Sequence, residues 1–246
     1  MNERQEKRCK VYAVSIDEIP APIDMNVLMD HIDPEHLTRI RRFRRQEDFL
    51  RSLCGEVLVR HVLRGMGYPD IRIQRTAKNK PFCPDIPQWK FSISHGGAWV
   101  AVSVSPFEIG VDLEEIKGDY RDVYETVLTK GELDLLRRTA EPLQTKEFLR
   151  MWTVKEAWLK RTGEGLYRDP KEIDTTALGK AAESLQEGIE NPVRAETLEF
   201  ELGYVLSVCG QAPVDPVVRR VKLTEIVEDW KEEGSRHGIT DTFYPI

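Results

Sequence analysis

Three acidic side chains and one lysine have the types and the spacing for metal-assisted chemistry. Asp112 and Glu114 are two residues apart in the stretch IGVDLEEI, and Glu156 precedes Lys160 by four residues in WTVKEAWLK. Residues at i and i+2 share a face of a strand, and residues at i and i+4 share a face of a helix. Carboxylates on one face repel each other unless water, a cation or a basic side chain lies between them. Carboxylate oxygens are ligands that suit Mg²⁺.

Each of these patterns also has an ordinary structural interpretation. An isolated Asp-x-Glu is more often a solvated strand edge, and a Glu–Lys pair at i and i+4 is usually a helix surface pair that contributes about 0.2–0.5 kcal/mol. The four cysteines are scattered without a Cys-x-x-Cys pair, a spacing that favours neither a zinc site nor a disulfide framework. We therefore expect reduced thiols.

Candidate phosphate-binding residues accompany the acidic ones. His95 ends the strand pattern FSISH beside two glycines, where a ligand can approach the backbone closely. Arg39 belongs to an arginine-rich stretch and Lys80 to a proline-punctuated loop. Such residues are ordinarily solvated, but arginine is also well matched to phosphate oxygens. Together with a magnesium site, they favour a nucleotide-like, polyanionic substrate.

The elements that must position these residues can be predicted from periodicity and turn signals. Helices are predicted from Pro34 onward, up to the glycines Gly65 and Gly67, over KGELDLLRR, and over a long segment that ends at Gly163. Thr129 forms a plausible capping box with the glutamate three residues later. Strands are predicted over CKVYAVSI, DIRIQRT, WKFSIS, AWVAVSVS, EIGVDLEE, ETLEFELG, YVLSVCG and VVRRVKLTEI. This order predicts an α+β fold with antiparallel sheets and packed helices.

Composition limits the class of protein. The chain has 246 residues, of which 40% are hydrophobic and 32% charged, and a net charge of -6. These values are typical of a soluble globular protein with one large domain or two of ordinary size. An acidic balance argues against nonspecific nucleic-acid binding. The charged N-terminus is unlike a signal peptide, and no apolar run has membrane-spanning length, so we expect a cytoplasmic protein without nucleic-acid or membrane partners.

Three motifs, in this order, resemble those of the 4′-phosphopantetheinyl transferases of the large surfactin-synthetase-activating type. They are FSISHGG, GVDLEE and WTVKEAWLKRTGEGL, of which the last has the family form W-x-x-K-E-x-x-x-K-x-x-G-x-G-L. The stretch RRFRRQEDFLRSLCGEVLVRHVL also resembles the N-terminal helix region of the family. The resemblance runs clearly from about residue 10 to residue 170. Three motifs in the right order are far more specific than one Asp-x-Glu.

The resemblance implies an enzyme that transfers the phosphopantetheine arm of coenzyme A to a serine of an acyl, peptidyl or aryl carrier protein. The other product is adenosine 3′,5′-bisphosphate. By the family pattern, Asp112, Glu114 and Glu156 hold Mg²⁺ against the pyrophosphate, and Lys160 neutralises charge on the phosphates. Glu156, or a water that it activates, takes the proton of the carrier serine. Nonribosomal peptide, polyketide, fatty-acid and lysine biosynthesis all use this activity.

The resemblance also implies a set of coenzyme A contacts. The residues at these family positions are His36, Arg39, Arg51, Ser52, Lys80, Pro81, Ser94, His95 and Lys160. His95 matches the family histidine on the 3′-phosphate, and Lys80 with Pro81 matches the loop along the adenine. The chain departs from the family at His36, where lysine is common, and at Asn79, where glycine is common.

The family fold is a pseudo-dimer of two similar α+β halves, each an antiparallel sheet packed with a long helix. The resemblance implies halves at residues 1–116 and 117–246, with coenzyme A and Mg²⁺ in the cleft between them. It also implies a monomer, because the second half takes the place of a partner subunit. Two alternatives remain at this stage: a noncatalytic carrier-protein-binding module, and a metal-dependent nuclease.

Overall fold

The structure, a computed structural model, describes residues 8–19, 25–176, 178 and 193–236. The strands are β1 (Cys9–Ser15), β2 (Gln74–Arg75), β3 (Pro81–Phe82), β4 (Lys90–Gly96), β5 (Trp99–Ser105), β6 (Ile109–Glu115), β7 (Arg194–Leu198), β8 (Tyr204–Gly210) and β9 (Val214–Arg220). The helices are α1 (Met25–Met29), α2 (Pro34–Ile40), α3 (Gln46–Gly65), α4 (Arg121–Val127), α5 (Lys130–Arg138), α6 (Glu141–Thr162) and α7 (Leu223–Arg236). The predicted α+β class is confirmed.

Two main sheets carry the fold. The first has the strand order β4-β5-β1-β9 and the second has the order β6-β8-β7. Neighbouring strands are antiparallel, as predicted, except that β9 runs parallel to β1. The predicted hairpin at His95 and its two glycines is confirmed, because β4 pairs with β5 from Lys90–Ser105 to Gly96–Trp99.

The chain order repeats. In each half a strand (β1 or β6) is followed by short helices, by one long helix (α3 or α6) and by a hairpin (β4–β5 or β7–β8). The sheet orders β4-β5-β1 and β7-β8-β6 correspond, as expected of a pseudo-dimer. The symmetry is broken at the C-terminus, where β9 adds to the first sheet and Ile226 of α7 packs into the first core. In this repeat β6 opens the second half, whereas the predicted boundary between residues 116 and 117 would fall after β6; that boundary stays a prediction.

The two sheets are stacked between the two long helices. One face of the first sheet packs Val100 and Val102 against Val57 of α3. Its other face packs Val11 and Ala13 of β1 against apolar side chains of β6 and β8. Because strand residues alternate faces, the apolar residues of β6 face the first sheet, and Gly110, Asp112 and Glu114 face α6. In IGVDLEEI, apolar side chains that enter the core therefore alternate with residues that face α6 and the candidate site.

Several predicted elements have different bounds in the structure. The arginine-rich stretch was expected to be helical, but the chain turns at Arg41 between α2 and α3. Only two residues of DIRIQRT form a strand, although Ile71 and Ile73 are buried. The strand predicted over VVRRVKLTEI is wrong in its second half, because β9 ends at Arg220 and α7 begins at Leu223. Most of residues 170–193, and all residues beyond 236, lie outside the residues that the structure describes.

Two local predictions about helix ends are confirmed. Thr129 accepts a hydrogen bond from the Glu132 backbone N–H while the Glu132 side chain accepts one from the Thr129 N–H, a complete capping box. Gly163 ends α6 in the left-handed conformation. The four cysteines are buried and unpaired. In the part of the chain that the structure describes, no helix has both the length and the apolar character needed to cross a membrane.

Candidate active site

A close contact between β6 and α6 brings the acidic strand to the long helix. A Cβ atom added at Gly110 would lie 1.8 Å from the carbonyl oxygen of Ala157 and 2.6 Å from the backbone nitrogen of Arg161. Only glycine therefore allows β6 to lie this near to α6. The next residue on the same face of the strand is Asp112, which the contact places opposite the face of α6 that carries Glu156 and Lys160.

Asp112, Ser94 and Lys160 form a compact polar cluster. The ammonium group of Lys160 donates to Asp112 Oδ1 at 2.6 Å and to Ser94 Oγ at 2.8 Å. Ser94 Oγ also lies 2.9 Å from Asp112 Oδ1. Asp112 is buried, with 4% of its surface exposed, whereas 31% of the Lys160 side chain is exposed. The ion pair is therefore partly shielded from solvent and oriented by charge-assisted hydrogen bonds.

Serines of β4 fasten the edge of the first sheet to β6. The backbone N–H of Leu113 donates to Ser94 Oγ at 3.2 Å, and the N–H of Val111 donates to Ser92 Oγ at 3.2 Å. A Cβ atom at Gly96 would lie 2.6 Å from the carbonyl oxygen of Leu113. These contacts fix the position of Asp112 relative to the β4–β5 hairpin, at the junction of the two halves.

The electrostatics of the glutamates reflect burial beside other carboxylates. Burial and the negative charges of Asp112 and Glu114 raise the pKa of Glu156 to about 7, although Lys160 opposes the shift. Burial and Asp112 also raise the pKa of Glu114, against a hydrogen bond from Trp152. A carboxyl group whose pKa lies near neutral pH is suited to accept and release a proton.

The three carboxylates fit a divalent cation in their chemistry. Asp112 Oδ2 and Glu156 Oε1 are buried and have no hydrogen-bond partner, which is costly for a charged group. Besides burial, the charge of Asp112 raises the pKa of Glu114, and the charges of Asp112 and Glu114 raise that of Glu156, a repulsion that a cation would relieve. Among the described residues, however, no group of three or more His, Cys, Asp or Glu side chains is arranged as a metal site, and Lys160 holds Asp112 in this structure.

A cavity of about 340 Å³ opens beside this cluster. Of the residues predicted from the sequence, it is lined by Arg39, Arg51, Ser52, Lys80, Pro81, His95 and Lys160. Asp112 and Ser94 reach its wall through Lys160, which hydrogen-bonds both. Glu114 and Glu156 do not line it. The cavity is therefore basic, and Lys160 connects it to the carboxylates.

His95 lies among cations. Burial lowers its pKa, as do the positive charges of Lys160 and Arg51. Arg51 is oriented by its own contacts, since its guanidinium donates to Asp48 at 2.6 Å and to the carbonyl oxygen of Gly97 at 2.8 Å. Arg51 is thus oriented by its contacts at a part of the cavity wall that also contains His95, and its guanidinium is suited to an anion.

Two predicted contacts are engaged within the protein. The Lys80 ammonium donates to Glu108 and, at 2.5 Å, to the carbonyl oxygen of Arg161 near the end of α6. Lys80 thereby ties the loop before Pro81 to the long helix. The structure does not bring His36 to the cavity; its Nδ1 lies 3.2 Å from Glu56 Oε1, and it lines a neighbouring groove.

Sequence reasoning missed three charged residues of the cavity wall, Glu56, Arg75 and Lys78. Glu56 stands between Cys54 and Val57 on the buried face of α3 and is 2% exposed. An acidic residue among the apolar positions of an amphipathic helix was the available signal, because buried carboxylates require partners. Arg75 carried no comparable signal, since its partner is distant in sequence.

Comparison with known proteins agrees with this architecture. The family described as "4'-phosphopantetheinyl transferase, N-terminal" matches residues 19–107, and the "4'-phosphopantetheinyl transferase superfamily" matches residues 108–209. The chain is 31% identical over 212 residues to 4'-phosphopantetheinyl transferase Sfp of Bacillus subtilis (strain 168), a match that covers 84% of this chain and 94% of the relative.

Two further relatives are also named 4'-phosphopantetheinyl transferases. The chain is 30% identical over 213 residues to 4'-phosphopantetheinyl transferase psf-1 of Bacillus pumilus, with 83% of this chain and 91% of the relative covered. It is 30% identical over 157 residues to 4'-phosphopantetheinyl transferase gsp of Aneurinibacillus migulanus, with 61% and 65% covered. The chain belongs to the 4′-phosphopantetheinyl transferase superfamily.

Proposed function

We propose that this protein transfers the 4′-phosphopantetheine group of coenzyme A to a serine of a carrier protein. The observation that carries the proposal is the partly buried ion pair of Lys160 with Asp112 at the wall of a basic cavity. Lys160 is on the same helix as Glu156. A basic cavity suits a polyanion. The Glu156 carboxylate has a pKa of about 7, which suits a general base.

The reaction requires one bond to form and one to break. The serine oxygen attacks the phosphorus that carries pantetheine, and the P–O bond to the adenosine half of coenzyme A breaks, which releases adenosine 3′,5′-bisphosphate. Glu156 accepts the serine proton, directly or through a water. The ammonium of Lys160 stabilises the negative charge that develops on the leaving phosphate oxygen.

Asp112, Glu114 and Glu156 would hold Mg²⁺. Bound there, the ion supplies positive charge to the pyrophosphate. The unpartnered carboxylate oxygens of Asp112 and Glu156 support this assignment. Lys160 already holds Asp112 in a fixed orientation, so this part of the ligand set is positioned before any ion binds.

The remaining coenzyme A contacts follow the cavity wall. His95, Arg39, Arg51 and Ser52 would bind the adenosine end with its 3′-phosphate, and Lys80 and Pro81 would flank the adenine. Ser94 acts through its hydrogen bonds to Asp112 and Lys160. We assign His36 a supporting role, because its imidazole contacts the buried Glu56 and not the cavity.

The carrier would be an acyl, peptidyl or aryl carrier protein, of the kind used in nonribosomal peptide and polyketide biosynthesis. We further propose a cytoplasmic enzyme that acts as a monomer, since both halves of the fold lie in one chain. No observation favours the noncatalytic binding module, because the three carboxylates and Lys160 are all present. None favours the metal-dependent nuclease either, because the net charge is -6 and a nuclease would leave the W-x-x-K-E motif unexplained.

Calorimetry of Asp112→Ala tests the proposed metal site. We expect wild-type protein to bind coenzyme A more tightly with Mg²⁺ than without it, and the variant to lose this difference. The control is Asp119→Ala, which removes an exposed carboxylate of the same region that pairs only with Arg121. If Asp112→Ala retains the full effect of Mg²⁺, Asp112 is not a metal ligand.

A further inference from the structure

The turn of the β4–β5 hairpin lies against the second half of the fold. Gly97, with φ +52°, is its first central residue and Ala98 is its second. A Cβ atom added at Gly97 would meet the hydroxyl oxygen of Tyr204 and lie 2.6 Å from Glu115 Oε2. Glycine is therefore required here for two reasons, because it adopts the left-handed backbone and lets the turn reach the end of β6 and the start of β8.

One peptide group of this turn is held at both ends. The carbonyl oxygen of Gly97 accepts a hydrogen bond from the Arg51 guanidinium at 2.8 Å. The N–H of Ala98 donates to the hydroxyl oxygen of Tyr204 at 3.1 Å. The carbonyl and the N–H belong to the same planar peptide unit, so they can only rotate together. The Tyr204 hydroxyl therefore helps to fix the direction in which the carbonyl faces Arg51.

Tyr204 is held in place by its own packing. It is the first residue of β8, where it pairs with Glu115 of β6. Its ring lies edge-on to Phe200 with 6.3 Å between centroids, and Phe200 lies edge-on to Trp99 of β5 at 5.0 Å. Tyr204 is partly buried in this cluster and does not line the cavity. The second half thus presents the hydroxyl to the turn at a position away from the ligand.

Arg51 depends on the Gly97 carbonyl for part of its orientation. Its guanidinium donates to that carbonyl and to the carboxylate of Asp48, which is 36% exposed. Asp48 precedes Arg51 by three residues on α3, so only the Gly97 contact of these two joins the guanidinium to the hairpin. Arg51 lines the cavity together with His95. A guanidinium that is oriented before an anion arrives loses less freedom on binding, which favours affinity.

We infer that Tyr204 is a positioning residue for coenzyme A binding, which acts on Arg51 through the peptide between Gly97 and Ala98. The inference rests on the proposed function. Tyr204→Phe keeps the packed ring but removes the acceptor of the Ala98 N–H, so the peptide is free to rotate. Binding of coenzyme A must then restore its orientation. Affinity therefore falls, whereas the rate of transfer from the bound complex is kept.

The test is a double-mutant cycle measured by calorimetry. Binding of coenzyme A with Mg²⁺ present is compared for wild type, Tyr204→Phe, Arg51→Ala and the double variant, at a temperature at which thermal unfolding shows each to be folded. The control is Tyr68→Phe, which removes the same group from a tyrosine that bonds the Gln88 side chain and does not line the cavity. Steady-state transfer by wild type and Tyr204→Phe gives KM and kcat.

We expect Tyr204→Phe to weaken coenzyme A binding about three- to tenfold, the usual value of one hydrogen bond. KM should rise by a similar factor, and kcat should stay within about twofold of wild type. In the Arg51→Ala background the same change should cost less than about twofold, because the two residues act in series. Tyr68→Phe should bind as wild type does.

An unchanged affinity in Tyr204→Phe, or equal losses in the two backgrounds, overturns the inference. A merely structural role would lower stability and leave the affinity of the folded protein unchanged. Wild type that binds coenzyme A but transfers nothing refutes the transferase proposal, and the binding cycle still decides the role of Tyr204. Wild type that does not bind coenzyme A overturns both.

Discussion

Glu156 is partly buried beside two other carboxylates, and this environment suits it to the proposed role of general base. Burial and the negative charges of Asp112 and Glu114 raise its pKa to about 7, and the positive charge of Lys160 opposes this shift only in part. A group with this pKa is present in both protonation states near neutral pH, which is the condition for efficient proton transfer.

Glu156→Gln is expected to lower the transfer rate by about 10²–10⁴-fold, the usual contribution of a general base, because the amide keeps the size of the side chain and cannot accept the serine proton. The measurement is initial-rate formation of adenosine 3′,5′-bisphosphate. Glu147→Gln serves as the control, since Glu147 is on the same helix and pairs with Arg150 at 2.7 Å. A rate near that of wild type would remove Glu156 from the mechanism.

The raised pKa of Glu156 also predicts a pH dependence of stability in magnesium-free buffer. Between pH 4.5, the ordinary value, and about 7 the folded protein binds this proton more tightly than the unfolded chain. The free energy of unfolding contributed by this group is therefore present at low pH and is lost as pH rises through about 7. Wild type should lose stability relative to Glu156→Gln over this interval, as followed by urea unfolding; parallel curves would contradict the shift.

At the scale of elements, the site depends on how closely β6 approaches α6. Gly110→Ala places a methyl group against the backbone of Ala157 and Arg161, and we expect it to destabilise the protein by about 1–3 kcal/mol or more and to reduce transfer by displacing Asp112. Gly131→Ala is the matched control, because nothing lies within 4 Å of the added Cβ. Urea unfolding and rate measurements on both variants check this; an active, stable Gly110→Ala would show that β6 need not be so close.

The Lys155–Glu132 pair is a second inter-element contact. Both side chains are fully buried, their charged groups are 2.8 Å apart, and Lys155 also donates to the carbonyl oxygens of Pro170 and Ile173. Lys155→Met leaves the Glu132 charge uncompensated, so we expect a loss of about 3–5 kcal/mol of unfolding free energy.

The control for this prediction is Arg150→Met, which breaks a more exposed pair on the same helix and should cost about 1 kcal/mol or less. Chemical denaturation compares the two variants. Equal losses of unfolding free energy in the two variants would mean that burial does not make the Lys155–Glu132 pair more important for stability than the exposed pair.

Sequence patterns predicted the elements whose signals are local. The alternation in β6, the capping box of α5 and the glycine at the end of α6 each depend on a few neighbouring residues. The arginines after Ile40 favour helix by propensity, and only packing sets the turn there. The parallel pairing of β9 with β1 joins chain ends that no local pattern connects.

The residues of the candidate site also differ in whether a local sequence pattern marks them. Spacing predicted that Asp112 and Glu114 share one face of a strand and that Glu156 and Lys160 share one face of a helix. That these two faces meet was implied by the family resemblance and not by the spacing. The place of Arg75 in the cavity wall could not be predicted, because Arg75 pairs with Glu56, which is 19 positions earlier on another element. Contacts that depend on tertiary charge pairing leave little trace in a single sequence.

At the scale of the whole molecule, the carboxylates and the anion-binding wall come from different halves. β6 and α6 supply Asp112, Glu114, Glu156 and Lys160, whereas α2, α3, β2 and β4 supply most of the basic wall. Ser94 connects the two through its hydrogen bonds to Asp112 and Lys160. The proposed reaction therefore requires both halves in fixed register, which a single chain provides.

The most direct test of the transferase proposal is mass spectrometry of an apo carrier protein incubated with this enzyme, coenzyme A and Mg²⁺, with a parallel sample in EDTA. The account predicts that the carrier gains one phosphopantetheine group and that EDTA prevents the gain. An unchanged carrier mass across peptidyl, aryl and fatty-acid carriers, with wild-type enzyme that is folded and binds coenzyme A, would contradict it.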